Sequence, residues 1–264
     1  MASSSQTVLD VGSAGRSSET AHQSMILLLT PREVLKTLRL SPRAITTILD
    51  PWYNKGVGGT RSDYHEWLAT LLDVASTKSE HIFLWGFPEI VGGVLDHLPN
   101  DFELNAWLTW YYKNCPSVIR GWRSAQNACL HLMRRGARTY PEHFLNDVQL
   151  RKKAEGKLRY MPGPPSVIEA PLAIGFVRRS EQTGHPSQKP VEVIEPLIRM
   201  TTVPGDLVLD PMAGSGTTGV ACRLTGRDAI LCDGSKEYVA MMEKRLGVKA
   251  TKSLPRPSAS SREP

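Results

Sequence analysis

Short apolar runs alternate with amphipathic stretches along most of this chain, and that alternation sets the expected elements. Continuous hydrophobic runs at 25–29 (MILLL), 44–50 (AITTILD), 81–86 (HIFLWG), 206–210 (DLVLD) and 228–233 (DAILCD) predict buried strands. Two longer runs, 102–112 (FELNAWLTWYY) and 127–135 (NACLHLMRR), read as strands as well. Between them, apolar positions three and four apart predict helices at 31–38, 63–76, 89–98, 191–201, 216–225 and 236–246. Buried strands alternating with helices imply an α/β fold, with a mostly parallel sheet covered on both faces. Ligands of such sheets bind beyond the carboxyl ends of the strands.

The pattern fails at both ends. Residues 1–24 and 247–264 are rich in small and polar residues and carry too little apolar surface to offset ordering, so both are expected to be disordered tails. Overall composition, with 41% hydrophobic and 22% charged residues, is that of a globular protein. The four cysteines show no close pair or zinc-like spacing, which points to a reduced, cytoplasmic setting. No run approaches the roughly 18 apolar residues of a membrane helix, and the seven histidines show no metal-ligand spacing.

Charge changes the picture more. The formal net charge is +6, but the window Lys113–Arg179 holds 13 Lys/Arg against 4 Asp/Glu. At its centre, LRKKAEGKLRYMPGPPS breaks the strand–helix rhythm and reads as a basic insert of loops and short elements. Charge runs are usually solvated surface; the alternative is a phosphate-contacting segment.

Two strand ends carry candidate chemistry. In DLVLDPMAGSGTTGVACRLTGRDAILCD a strand ends at Asp210, a turn with Gly214 and Gly216 opens a helix, and the next strand ends at Asp233. Glycines let a ligand approach the backbone, and the second acid suits ribose hydroxyls. An acid at the first strand's end is poorly placed for a phosphate and suits a cationic or hydroxyl-bearing ligand. In TTILDPWYNKG another strand ends in Asp50, Pro51, Trp52 and Tyr53, which brings a carboxylate and two flat rings together.

DPMAGSGTT resembles the S-adenosylmethionine loop of the DNA amino-methyltransferases, HPSQKPVEVIEPLI (185–198) their tenth motif, and DPWY their catalytic Asp/Ser-Pro-Pro-aromatic motif. With the catalytic motif first and the cofactor loop 160 residues later, the order is that of the beta group. The resemblance spans roughly Met25 to Leu246. It implies a Rossmann-like methyltransferase fold with circularly permuted motifs. Its catalytic part would be 25–136, its target-recognition insert about 137–183 and its cofactor-binding part 184–246.

The same resemblance implies a cofactor site of Thr30, Ser187, Gln188, Lys189, Asp210, Met212, Gly214, Ser215, Gly216, Thr217 and Asp233, with Lys189 toward the cofactor's carboxylate. Leu29-Thr30 stand where the family has Gly-Asp, and Thr30 otherwise reads as a helix N-cap. Asp50 and the Pro51 carbonyl would accept hydrogen bonds from the target amine, and Tyr53 would stack on a base extruded from the duplex. Trp52 replaces the family's second proline; an added stacking surface competes with a filled, inactive pocket. Aspartate at the motif's head leans toward adenine N6, with cytosine N4 and a non-catalytic nucleic-acid-binding relative as alternatives. Lys55, Arg61, Arg151, Lys152, Lys153, Lys157 and Arg159 would contact double-stranded DNA. The short insert is compatible with a homodimer or a companion subunit.

Overall fold

A computed structural model describes residues 22–54, 59–115, 118–119 and 121–254. Its core is one eight-stranded sheet. In chain order the strands are β1 (Ile26–Leu28), β2 (Thr46–Leu49), β3 (His81–Gly86), β4 (Phe102–Tyr111), β7 (Gln126–Arg134), β8 (Val167–Glu169), β9 (Leu207–Asp210) and β10 (Asp228–Leu231). The pair β5 (Val118–Ile119) and β6 (Trp122–Arg123) forms a separate hairpin. Spatially the order is β1-β10-β9-β2-β3-β7-β4-β8, parallel from β1 through β3, with β7 antiparallel to both neighbours. This is the mostly parallel α/β sheet that the apolar runs imply.

Side chains alternate strictly between two cores, as the two-residue repeat of a strand requires. Leu28, Ile48, Phe83, Trp85, Val208, Ala229 and Leu231 face one side; Leu29, Leu49, Ile82, Leu84, Leu209 and Ile230 face the other. The first side is covered by α5 (Val191–Thr201), α6 (Thr217–Thr225) and α7 (Lys236–Leu246). Covering the second are α1 (Val34–Leu40), α2 (Tyr64–Ser76) and the short α3 (Pro88–Val91). Leu68, Leu71 and Leu72 of α2 are fully buried, each contributing about 2 kcal/mol by burial.

Four local departures from the expected elements have plain causes. The first helix starts at Val34, not Pro31, because the Glu33 carboxylate accepts from the Leu35 and Lys36 amides; Glu33, not Thr30, is the cap. The helix expected over 89–98 divides into α3 and a 3-10 turn at Gly92–His97, where a Cβ on Gly93 would lie 2.7 Å from His65 Nε2. Within the basic insert, an unexpected helix α4 (Asp147–Ala154) is nucleated by a reciprocal cap between Asn146 and Gln149. The tail expected from residue 247 stays packed to Leu254: Thr251 donates its amide to Leu28 O, and Thr30 donates to Thr251 O, both at 2.9 Å. At the other end, residues 1–21 lie outside the described residues, while His22 Nε2 and the Met25 amide both bond Asp228 Oδ1. Among the described residues no helix is long and apolar enough to cross a membrane.

At the amino ends of the strands a neutral histidine relay is buried between β3, β4 and β7. His81 Nε2 donates to Arg138 O at 3.0 Å, which leaves its Nδ1 to accept from His131 Nε2 at 3.1 Å. His131 Nδ1 in turn accepts from Asn105 Nδ2 at 3.0 Å. Asn105 is the residue at which the β4–β7 register shifts, so the bulge supplies the donor that completes the relay. Burial pushes His81 from 6.5 down to about 4. Burial, then the neighbouring His81, pushes His131 down to about 3. Because both folded values are lowered, the unfolded chain binds more protons between pH 6.5 and 4, and stability falls as pH drops through that window. Urea unfolding should therefore weaken by on the order of 6 kcal/mol between pH 7 and pH 4, about half from each histidine. A His81→Gln/His131→Gln variant should show a clearly shallower decline; equal declines would contradict the relay.

Candidate active site

Chain order places β9 beside β2 at the centre of the sheet, so the strand ends Leu49 and Asp210 open into one crevice although some 160 residues separate them. From β9 the chain turns into α6 on one face; from β2 it proceeds to α2 on the other. This divergence leaves a cavity of about 540 Å³. Asp50, Pro51, Trp52 and Tyr53 line one wall, and Asp210, Met212, Gly214, Ser215, Thr217 and Asp233 line the other, with Ser187 and Lys189 between.

Lys189 joins the walls. Its side chain is 4% exposed, and Nζ lies 2.5 Å from Asp50 Oδ2, 3.4 Å from Tyr53 Oη and 4.8 Å from the centre of the Trp85 ring. Burial works against the charge on Lys189, but Asp50 and Tyr53 more than offset it and raise its pKa above the ordinary lysine value. Only Oδ2 of Asp50 is held. Oδ1 is buried and has no hydrogen-bond partner among the described residues. The result is a carboxylate fixed by Lys189 in the cavity wall.

Tyr53 is fixed from two directions. Asn127 Nδ2 donates to its hydroxyl at 3.0 Å, and its ring lies 4.6 Å from that of Phe87. Burial, then the Asp50 charge, raises the Tyr53 pKa, so the hydroxyl stays protonated. A smaller cavity of about 150 Å³ opens behind Tyr53, between Phe87, Trp110, Tyr112 and Asn127. Trp52 turns toward α2 instead: its ring packs 5.3 Å from Tyr64 and 4.8 Å from Trp67, and Nε1 donates to Gly59 O at 3.1 Å. Tyr64 donates its hydroxyl to the Trp52 carbonyl. The indole forms part of the wall and leaves the space before Asp50 open.

The glycine turn depends on backbone shape. Gly214 and Gly216 have φ of 47° and 77°, in the region that favours glycine. A Cβ on Gly214 would lie 2.8 Å from His185 Nε2, and one on Gly216 would lie 2.9 Å from Met242 Cγ. Asp233 accepts from the Gly214 amide at 3.1 Å and the Ser235 amide at 2.8 Å. Asp210 accepts from Thr218 Oγ1 at 2.5 Å and the Met212 amide at 3.1 Å. Burial nevertheless raises Asp210 to about 7, with the charges of Asp50 and Asp233 adding to the rise.

Several expected residues serve the walls rather than the space. Thr217 Oγ1 donates to Lys189 O at 2.8 Å, and Arg245 donates to Ser215 O at 3.0 Å, so helix α7 braces the turn against α5. Gln188 faces the smaller cavity, where it accepts from Thr183 and donates to Glu181 O. Thr30 is held by Thr251 and Cys232 rather than lining the cavity; Arg32, Glu33 and Val34 line it in its place. Trp85, His185 and Tyr238 complete the lining, a position no periodicity marks. No group of metal-ligating side chains occurs among the described residues.

The expected DNA contacts divide. Lys55 lies outside the described residues. Arg61 is paired with Asp63 at 2.7 Å near the cavity's aromatic wall. Arg151, Lys152, Lys153, Lys157 and Arg159 are exposed on and after α4, and Lys157 pairs with Glu155. The segment leading into α4 is anchored at the far end of α5 from Lys189: Tyr140 donates to Met200 O and His143 Nδ1 bonds Arg199 O, both at 2.7 Å. With 11 residues, α5 separates the two ends by roughly 16 Å.

Comparison with known proteins gives the family and agrees with the fold. A family model of N6/N4 DNA methylases matches residues 46–244. The Type II methyltransferase M.HpaI of Haemophilus parainfluenzae is 28% identical over 216 residues, covering 75% of this chain and 67% of M.HpaI. The DNA adenine methyltransferase YhdJ of Escherichia coli (strain K12) is 28% identical over 159 residues, 56% of this chain and 53% of YhdJ. Among solved structures, the M1.HpyAVI–SAM complex superposes with a TM-score of 0.65 at 22% identity, covering 85% of this chain and all of that one.

The buried pair at the centre of the cavity has a measurable consequence. Lys189→Met leaves the Asp50 carboxylate uncompensated and should lower unfolding stability by about 3 kcal/mol at pH 7.5. Adding Asp50→Asn should restore at least half of the loss, because the orphaned charge is then removed. Strictly additive losses in urea titrations would show that the two side chains are not coupled.

Proposed function

Because the chain belongs to the N6/N4 DNA methylase family, we propose that it transfers a methyl group from S-adenosylmethionine to the exocyclic amine of a base flipped out of DNA, with adenine N6 as the target. The observation that carries this reading is the Asp50 carboxylate, fixed by Lys189 and lining, with Tyr53, the cavity that also holds Gly214 of the glycine turn.

The residues present fit the cofactor. Gly214 lines the cavity without a side chain, Gly216 lets the turn pack closely on Met242, and Asp233 lies at the second strand's end, where ribose hydroxyls would be met. Asp50, Asp210 and Asp233 give the cavity acidic walls suited to a ligand carrying positive charge. When bound, the cofactor supplies an electrophilic methyl group on a positively charged sulfur.

An amine conjugated to a base ring is a weak nucleophile, because its lone pair is delocalised. The Asp50 carboxylate and the Pro51 carbonyl accept from the amine's hydrogens and favour the pyramidal nitrogen that attacks. As the N–C bond forms the nitrogen must shed a proton, and the Asp50 carboxylate is the group positioned to receive it. Lys189 holds the carboxylate in register through Oδ2. Tyr53 offers its face to the base, and Asn127 and Phe87 stop that ring from turning. These groups are fixed before the base arrives, so no reorganisation is needed as charge develops.

Aspartate at position 50 favours adenine, while the family itself includes both N6 and N4 enzymes. Tritiated methyl transfer to unmethylated duplex DNA, followed by nucleoside digestion, tests both points. N6-methyladenine is expected, at a rate at least about a hundredfold lower for Asp50→Ala. N4-methylcytosine would reassign the base, and duplex binding without incorporation would make the chain a non-catalytic binder.

The near-neutral Asp210 adds a pH dependence. Its carboxylate form attracts the sulfonium and predominates above about 7, so cofactor binding should tighten as pH rises. Calorimetry should show about tenfold weaker binding at pH 6 than at pH 8, and Asp210→Asn should flatten the profile.

A further inference from the structure

The geometry points to a DNA-facing rim made by the β5–β6 hairpin and the segment 170–179, with Trp122 and Phe176 as the rings that meet the duplex, and to a basic helix α4 that stays outside this footprint. This inference rests on the DNA-methylating reading above.

Both segments surround the opening of the smaller cavity. The hairpin rises between the end of β4 and the start of β7, and the residues at its two roots, Tyr112 and Asn127, line that cavity. Leu172, Ala173 and Ile174 line it from the other side. Asn114 staples the two segments together: its Oδ1 accepts from the Leu172 amide at 2.8 Å, and its Nδ2 donates to Leu172 O at 3.0 Å. Trp110 Nε1 donates to Ala170 O at 2.8 Å and fixes the start of the second segment on β4. Its end is fixed by Arg178, which pairs with Glu181 and Glu192, and by Gln182, which donates to Gly175 O and Val177 O. The rim is therefore a built unit, tied to the strands that hold Tyr53 and Asn127.

Two large rings stand at its surface: Trp122 is 83% exposed and Phe176 is 91% exposed. Exposing two aromatic side chains around one opening gains the fold nothing, whereas rings at such a place can stack on unpaired bases or wedge a base step. Charge adds to this. Lys113 pairs with Glu169, and Arg178 with Glu181 and Glu192, whereas Arg123 and Arg179 are exposed on the two segments.

Helix α4 is placed otherwise. The residues before it bond the carboxyl end of α5, and Gly163 after it approaches Pro141 and Met200 there, whereas Lys189 precedes the amino end of that helix. A base entering between Tyr53 and Asp50 comes from a duplex at the carboxyl ends of the strands, on the side of the hairpin. The charge of the insert and the contact surface for DNA are thus separated in space.

Full-length variants distinguish the two surfaces. Trp122→Ala and Phe176→Ala should each lower kcat/KM on unmethylated genomic DNA at least about fivefold, with cofactor affinity and thermal midpoint unchanged because both rings are solvent-exposed. Arg123→Gln with Arg179→Gln should reduce by about 2 the slope of log affinity against log salt for a labelled duplex. The triple variant Arg151→Gln/Lys152→Gln/Lys153→Gln should leave that slope unchanged. Wild-type kcat/KM in both ring variants, or a slope lowered by the α4 substitutions and not by the rim substitutions, would overturn the proposed footprint. A wild-type chain that neither binds duplex nor incorporates methyl would overturn the DNA-methylating reading itself, a different outcome from rim variants that behave like a functioning wild type.

Discussion

One ion pair organises this site. Lys189 reaches from the start of α5 to Asp50 at the end of β2, and its charge is compensated there and over the Trp85 ring. A buried lysine without such a partner would be several kcal/mol out of place, so the pairing fixes where α5 meets the sheet. It also decides which carboxylate oxygen is occupied. With Oδ2 held by Lys189, the carboxylate is fixed in the cavity wall. The same contact that satisfies a burial requirement prepares an acceptor for an amine.

The pair can exist because of sheet order. If β9 lay at an edge, the glycine turn and the Asp50 loop would face different solvent regions. Placing β9 beside β2 makes them opposite walls of one crevice, since the chain leaves the two strands toward opposite faces. Secondary contacts tie the walls to each other rather than to the space between them. Thr217 bonds the Lys189 carbonyl, and Arg245 holds Ser215. Polar side chains of the cofactor-loop motif thus split into two jobs, with the acids and glycines shaping the cavity and the hydroxyls bracing it.

The two ends of the strands carry different electrostatics. At the carboxyl ends, acids and a lysine line a ligand-sized cavity. At the amino ends, two histidines, an asparagine and a backbone carbonyl form a neutral relay in which all four imidazole nitrogens are bonded within the protein. The first arrangement lines a space for a ligand and the second satisfies its rings internally, which is the difference between a site and a structural joint.

Apolar runs and their spacing determined the α/β class, most of the strands and the helices, because strand burial on two faces leaves an unbroken hydrophobic signature. Short motifs determined which strand ends carry chemistry, since a glycine turn after an acid and an acid–proline–aromatic tetrad are local constraints that a sequence states directly. Contacts across the fold decided the rest. Lys189 reads as an anchor for a cofactor carboxylate until the sheet brings Asp50 within 2.5 Å of it. Trp52 reads as a stacking or packing surface in preference to a plug, and Tyr64 and Trp67 supply the place for its indole. Arg32, His185 and Tyr238 join the cavity from three different elements, with no spacing to connect them. Basic composition identified an insert but not its direction, because net charge has no orientation; the bonds from residues 140–143 to the end of α5 set that. Local patterns fix what each segment can become, and only closure of the sheet fixes which side chains meet.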